Sequence, residues 1–162
     1  MSIFGITTGI ICQQTNCQNA YGAGLSGIIA KQYPVVYEKF KENYINNKGN
    51  QFGTYELINV EPDLYIANIY SQNYYGNSYK THIQYTDIDK LISAIDNIAE
   101  TNKYKQIYIP CCKFKHNIIN GIGCGLAGAK WDDIYPRIVE LSKRHKSLFL
   151  LDTYKHTYSH VE

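Results

Sequence analysis

The sequence predicts an α/β fold: a three-layer α/β/α sandwich around a mixed, mainly parallel sheet. Three observations carry this. Apolar runs with strand character alternate with runs of helical periodicity after a first hairpin. Two glycine-rich loops, far apart in the chain, each stand between a strand and a helix start. The length of 162 residues suits one domain with a substantial core, expected over residues 9–152 with a polar tail at 153–162 that frays.

In order, Gly9–Thr15 reads as a buried strand running into a polar loop, residues 16–24. Leu25, Ile28, Ile29 and Tyr33 fall at helical spacing, so a helix starts near Gly24. Pro34 interrupts it, and a second helical run covers Val35–Tyr44. Tyr55–Val60 and Leu64–Tyr70, joined by Glu61-Pro62-Asp63, read as a hairpin. Ser71–Gln84 is long, polar and aromatic, and long loops in compact domains are often functional. Thr86-Asp87 caps a helix reaching about Glu100, with Ile88, Leu91, Ile92, Ile95 and Ile98 turned inward. Lys105–Pro110 is a strand, 111–120 a connection of undefined structure, Trp131–Lys143 a helix, and Ser147–Asp152 the last strand.

Composition narrows the function classes. Hydrophobic content of 44%, charged content of 19% and a formal charge of +2 describe an ordinary globular protein. They give no basic stripe, so nucleic acid is not an expected partner. No apolar run approaches a membrane span and no signal peptide is evident, so a cytoplasmic location is expected. Cys12, Cys17, Cys111, Cys112 and Cys124 contain no CxxC pair and read as reduced thiols. The abundance of Ile, Asn, Lys and Tyr points to an AT-rich source, such as a low-GC bacterium or its phage.

The glycine loops carry the chemistry. Glycine lets a ligand approach the main chain closely, and a helix start offers unpaired N–H groups. The first loop holds Asn16, Gln18 and Tyr21, then Gly22-Ala23-Gly24. The second is Gly121-Ile122-Gly123-Cys124-Gly125-Leu126-Ala127-Gly128. Both follow strand ends, where α/β sheets bind ligands. Two anion nests on one sheet edge suit a diphosphate flanked by sugars. A tight turn without ligand is the alternative for either loop alone.

These motifs resemble macrodomains. Asn16–Gly24 followed by Lys31-Gln-Tyr-Pro-Val-Val-Tyr37 is similar to the family's first ligand loop, and Gly121–Trp131 to its second. Ala67–Gly76 with Thr86-Asp-Ile resembles the branch containing ADP-ribose 1″-phosphate phosphatases. The resemblance spans about Gly9 to Asp152. It implies an ADP-ribose-type ligand with its diphosphate between the loops; no cofactor and no metal are expected. It implies Asn16 at the distal ribose, Gly22, Ala23 and Gly24 at that ribose and the diphosphate, and Ile122 to Gly128 as the second cradle. Tyr75 is placed at a ribose or base pocket, or is an ordinary tyrosine among sixteen.

Departures bear on catalysis. Residues 1–9 hold no counterpart to the family's Gly-Asp pair, whose carboxylate reads adenine; the N-terminus is expected to be shortened, with Asp152 a possible substitute. Gln72 and Ala127 stand where glycohydrolase relatives carry a lysine and an acid, and no histidine lies near the first loop. Two readings follow: a hydrolase of an ADP-ribose derivative with Asn16 and Gln72 positioning the substrate, or a non-catalytic module that sequesters such a nucleotide, as a phage counter-defence protein would. Stacking of RNA bases on the Tyr70–Tyr79 aromatics is a third class with little support. Cys111-Cys112 with His116 is read as no metal site, since adjacent cysteines rarely share one tetrahedral ion. Cys124 is read as a packing residue rather than an activated thiol.

Overall fold

A computed structural model describes residues 3–21, 24–114 and 117–161, with 113, 114 and 117–119 described in their backbone alone. Strand β1 (Gly9–Asn16) leads through helices α1 (Gly24–Gln32) and α2 (Pro34–Asn47) to the hairpin of β2 (Tyr55–Glu61) and β3 (Leu64–Gln72). A helical turn, α3 (Ser78–Thr81), and helix α4 (Ile88–Thr101) precede β4 (Ile107–Phe114) and β5 (Asn117–Gly121). Helix α5 (Trp131–Ser142), β6 (Leu148–Asp152) and β7 (Thr157–His160) follow.

The sheet order is β2-β3-β1-β4-β6-β7, with β5 folded back on β4. The central pairs β3–β1, β1–β4 and β4–β6 are parallel; β2, β5 and β7 are antiparallel additions. Successive strand residues face opposite layers. Ile10 therefore packs with Leu91, Ile95, Ile107 and Ile134 in the α4/α5 layer, while Ile11 packs with Ile29, Val36, Leu64 and Ile66 in the α1/α2 layer. Burial on both faces is why β1 reads as an unbroken apolar run.

Local signals explain the helix ends. Pro34 does more than interrupt a helix: it sits in the first turn of α2, where its missing N–H costs nothing. Asp87 alone caps α4, accepting the Lys90 N–H at 3.0 Å. Five of the residues expected inward on α4 are placed there, with Ile88 only partly buried.

Two expectations are corrected. Residues 111–120 are no loose connection: β4 runs on to Phe114 and β5 returns along it. The tail does not fray. Asp152 folds the turn by accepting the N–H groups of Tyr154 and Lys155, each at 3.0 Å, and β7 then pairs with β6. Tyr158 packs edge-on to Tyr108 and Phe149, and Val161 is buried. The exposed side chains of β7 hide this in the sequence, because an edge strand needs no apolar alternation when main-chain pairing and aromatic contacts hold it.

One irregularity opens the sheet. Strands β1 and β4 pair only at Ile10–Ile107 and Ile11–Tyr108. The Ile107 N–H donates to Ser147 on the β6 side, so alternation turns the Pro110 nitrogen toward β1, where it has no hydrogen to give. The Pro110 carbonyl instead accepts the Ile122 N–H at 3.0 Å, and the second glycine loop enters the gap.

Candidate functional site

The gap between β1 and β4 widens into a cleft of about 580 Å³ at the C-terminal ends of the strands. Its size falls in the range of small-molecule sites, roughly 300–1,000 Å³. Gln13 to Asn16 of β1 form one side and Pro110 to Cys112 of β4 the other. The first turn of α1 (Gly24, Leu25, Ser26) and the second glycine loop (Gly121 to Gly123, Gly125 to Ala127) border the same space. Gly22 and Ala23 lie outside the described residues.

Of the residues singled out in the sequence, Asn16, Tyr21, Gly24, Gln72 and Tyr75 line the cleft, as do Ile122, Gly123, Gly125, Leu126 and Ala127. Three do not. Gln18 points away, its amide 3.4 Å from the Asn73 carbonyl. The Cys124 N–H closes a turn onto Gly121 at 3.0 Å, and its thiol is buried in the α4/α5 layer, which pushes its pKa up to about 11. Gly128 donates its N–H to Gly125 at 3.1 Å and packs against Ser78.

The main chain of the second loop is polarised by its surroundings. The Gly123 carbonyl accepts from the Thr86 hydroxyl at 2.7 Å and from Ala129 at 3.1 Å. The Leu126 carbonyl accepts from Ser78 at 3.1 Å, and that of Ala127 from Tyr85 at 2.7 Å. The 77–86 segment thus engages the loop's carbonyls. Among the described residues, the N–H groups of Gly123, Gly125, Leu126 and Ala127 have no acceptor. Donors without acceptors, beside the open first turn of α1, make an anion cradle of peptide dipoles.

The glycines differ in what requires them. At Gly121 a Cβ would collide with the Trp131 ring, and at Gly128 with Ser78, where φ is also +82°. Gly125 has neither constraint: its φ is not positive and a Cβ there would meet nothing within 4 Å. The fold itself does not ask for glycine at 125.

The side chains of the cleft are amides, hydroxyls, thiols and apolar groups; among the described residues no carboxylate, imidazole, ammonium or guanidinium lines it. Asn16 and Gln72 are tied into the framework. The Asn16 carboxamide accepts the N–H groups of Gln18 (2.9 Å) and Ala20 (3.3 Å) and donates to the Ala20 carbonyl at 2.6 Å, so it shapes its own loop. Gln72 accepts from Gln14 at 2.8 Å and donates to the Tyr74 carbonyl at 2.9 Å. Tyr21 accepts from Gln13 at 2.6 Å, and burial pushes its phenol up to about 12. Asp152, considered for reading a base, is instead committed to the β6–β7 turn.

The sequence reading missed Gln13, Gln14, Asn120 and Thr153 in the cleft. The available signal was the pair of glutamines inside an apolar strand, where a buried amide requires partners.

Solved structures resemble this arrangement. A protein of unknown function from Bacteroides thetaiotaomicron superposes with a TM-score of 0.73 at 23% identity, over 91% of this chain and 90% of that one. A macrodomain protein from Streptomyces coelicolor gives 0.67 at 17% identity, over 91% and 90%. The chain has the macrodomain fold. The macrodomain fold also recurs in Thermosipho africanus DarTG, solved in complex with ADP-ribose, with a TM-score of 0.68 at 17% identity over 92% of this chain and 39% of that one. No family model and no curated protein matches the sequence.

Proposed function

We propose that the cleft binds ADP-ribose or a closely related nucleoside-diphosphate sugar, with the diphosphate between the first turn of α1 and the second glycine loop, and that it holds this ligand without turning it over. The observation that carries the reading is Gly125. It borders the cleft, and among the described residues its N–H has no acceptor and nothing explains its missing side chain. A ligand that approaches the main chain at that point does. The neutral lining agrees, since dipoles and amides suit a diphosphate joined to sugar hydroxyls. The ADP-ribose complex of the Thermosipho protein supports the same class.

Absence of turnover rests on the lining. General acid–base catalysis needs a group that gives or takes a proton near neutral pH. Asn16 and Gln72 are carboxamides held by framework hydrogen bonds. ADP-ribose 1″-phosphate is accordingly expected to be bound and returned intact; release of phosphate above background places the protein among hydrolases instead. Five buried or half-buried thiols without a disulfide suit a reducing compartment such as the cytoplasm.

Calorimetry with ADP-ribose tests the proposal directly. Saturable binding is expected, and failure to bind at millimolar ligand ends the reading. Gly125→Val sharpens the test. The variant is expected to unfold at the wild-type temperature, because its side chain enters open space, and to lose ADP-ribose binding.

A further inference from the structure

The second glycine loop is held in shape by one directed chain of hydrogen bonds that passes through the cleft wall at Gln14 and ends on Thr86 behind it. The Ser71 hydroxyl donates to the Gln14 side-chain oxygen at 2.6 Å. The Gln14 amide donates one hydrogen to Gln72 and the other to the Thr86 hydroxyl, both at 2.8 Å. With its lone pair so engaged, the single Thr86 hydrogen goes to the Gly123 carbonyl at 2.7 Å. Every donor and acceptor in this chain has one assignment, so no rotamer or amide flip preserves it. Each bond polarises the next.

Gly123 is where such control matters. It has φ +81° in the third position of a turn closed by the Cys124 N–H on the Gly121 carbonyl at 3.0 Å, the pattern of a type II turn. Its N–H is one of the four without acceptors. The Thr86 methyl lies 3.1 Å from where a Gly123 Cβ would stand, so the threonine touches this residue on two sides. Thr86 is buried, does not line the cleft and sits at the end of an isolated bridge to Gln72. A hydroxyl in that place is not needed for capping α4, which Asp87 does alone.

We propose that Thr86 is the positioning residue of the anion cradle: by holding the Gly123 carbonyl it fixes the Gly123–Cys124 peptide, and with it the turn that presents the Gly123 N–H on one side and the Gly125 N–H on the other. This rests on the ADP-ribose reading for its affinity readout but has a second readout that does not. Thr86→Val keeps the shape and deletes the hydroxyl; Thr86→Ser restores it. Calorimetry with ADP-ribose is expected to give about ten-fold weaker binding for Thr86→Val, the effect of roughly one lost hydrogen bond, and affinity within about two-fold of wild type for Thr86→Ser. Without ligand, amide exchange at Ala129, whose N–H shares the Gly123 carbonyl, is expected to accelerate in Thr86→Val and not in Thr86→Ser. Should Thr86→Val fail to fold, Gln14→Met removes the preceding donor and is expected to accelerate the same amide. Wild-type affinity in Thr86→Val, equal weakness in Thr86→Ser, or an unchanged Ala129 amide overturns the proposal. If wild type itself does not bind ADP-ribose, the functional reading falls, and the Ala129 amide still decides the role of Thr86.

Discussion

Asn16 shows how a residue can be found for one reason and kept for another. As a carboxamide at the end of a buried strand, it stands out in the sequence as a partner for sugar hydroxyls. In the protein it makes three hydrogen bonds within residues 16–20, one to the Ala20 carbonyl and two from main-chain N–H groups. The Asn16→Ala variant leaves two part-buried donors unsatisfied, and urea denaturation is expected to show a loss of about 1–3 kcal/mol. A residue serving only the ligand would leave stability unchanged, so the measurement separates the two roles. The link between Gln14 and Thr86 is illegible for the opposite reason, although each residue stands out locally. Their importance lies in mutual contacts across 72 positions of sequence, and no local pattern announces such a pair.

At the level of elements, periodicity made β1, the β2–β3 hairpin, α4, α5 and β6 readable, because each buries an apolar face against the sheet. The β4–β5 hairpin and β7 were not readable. Their pairing is carried by the main chain, which has no sequence signature, and both border polar segments. The last strand nevertheless contributes stability. Phe149 meets the His160 ring with centroids 4.3 Å apart, Tyr158 meets two aromatic rings, and the Val161 N–H reaches Leu148. Aromatic pairs contribute about 0.5–1.5 kcal/mol each beyond area burial. A chain ending at Asp152 is therefore expected to lose about 1.5–4.5 kcal/mol in urea denaturation, the sum of these three pairs. A truncation with wild-type stability would mean that β7 is only decoration on the edge.

The molecule as a whole carries acidic groups that burial keeps neutral. Burial raises the thiols of Cys17 and Cys124 to about 11 and that of Cys12 to about 12. The phenols of Tyr21 and Tyr33 rise to about 12, again mainly through burial. In the unfolded chain the same thiols ionise near 9 and the phenols near 10. Above these values the unfolded state binds fewer protons than the folded one, so stability falls as pH rises. Thermal unfolding is expected at a constant temperature between pH 7 and about pH 8.5 and at progressively lower temperatures above about pH 9. Asp96 gives the reverse effect on the acid side: the hydrogen bond from His145 leads a set of contacts holding its carboxyl below the usual value, and that contribution is lost as pH falls through this range. A flat profile up to pH 11 would contradict the burial of these thiols and phenols.

The uncharged cleft has a consequence for how a ligand arrives. Peptide dipoles act only at contact distance, whereas lysines and arginines cast a field over a Debye length of about 10 Å at ordinary ionic strength. With a formal charge of only +2 and, among the described residues, no cation lining the cleft, the protein has little long-range field with which to gather polyanions. For the ligand proposed above, encounter is then expected to be left to unguided diffusion, with an association rate that changes little on adding salt.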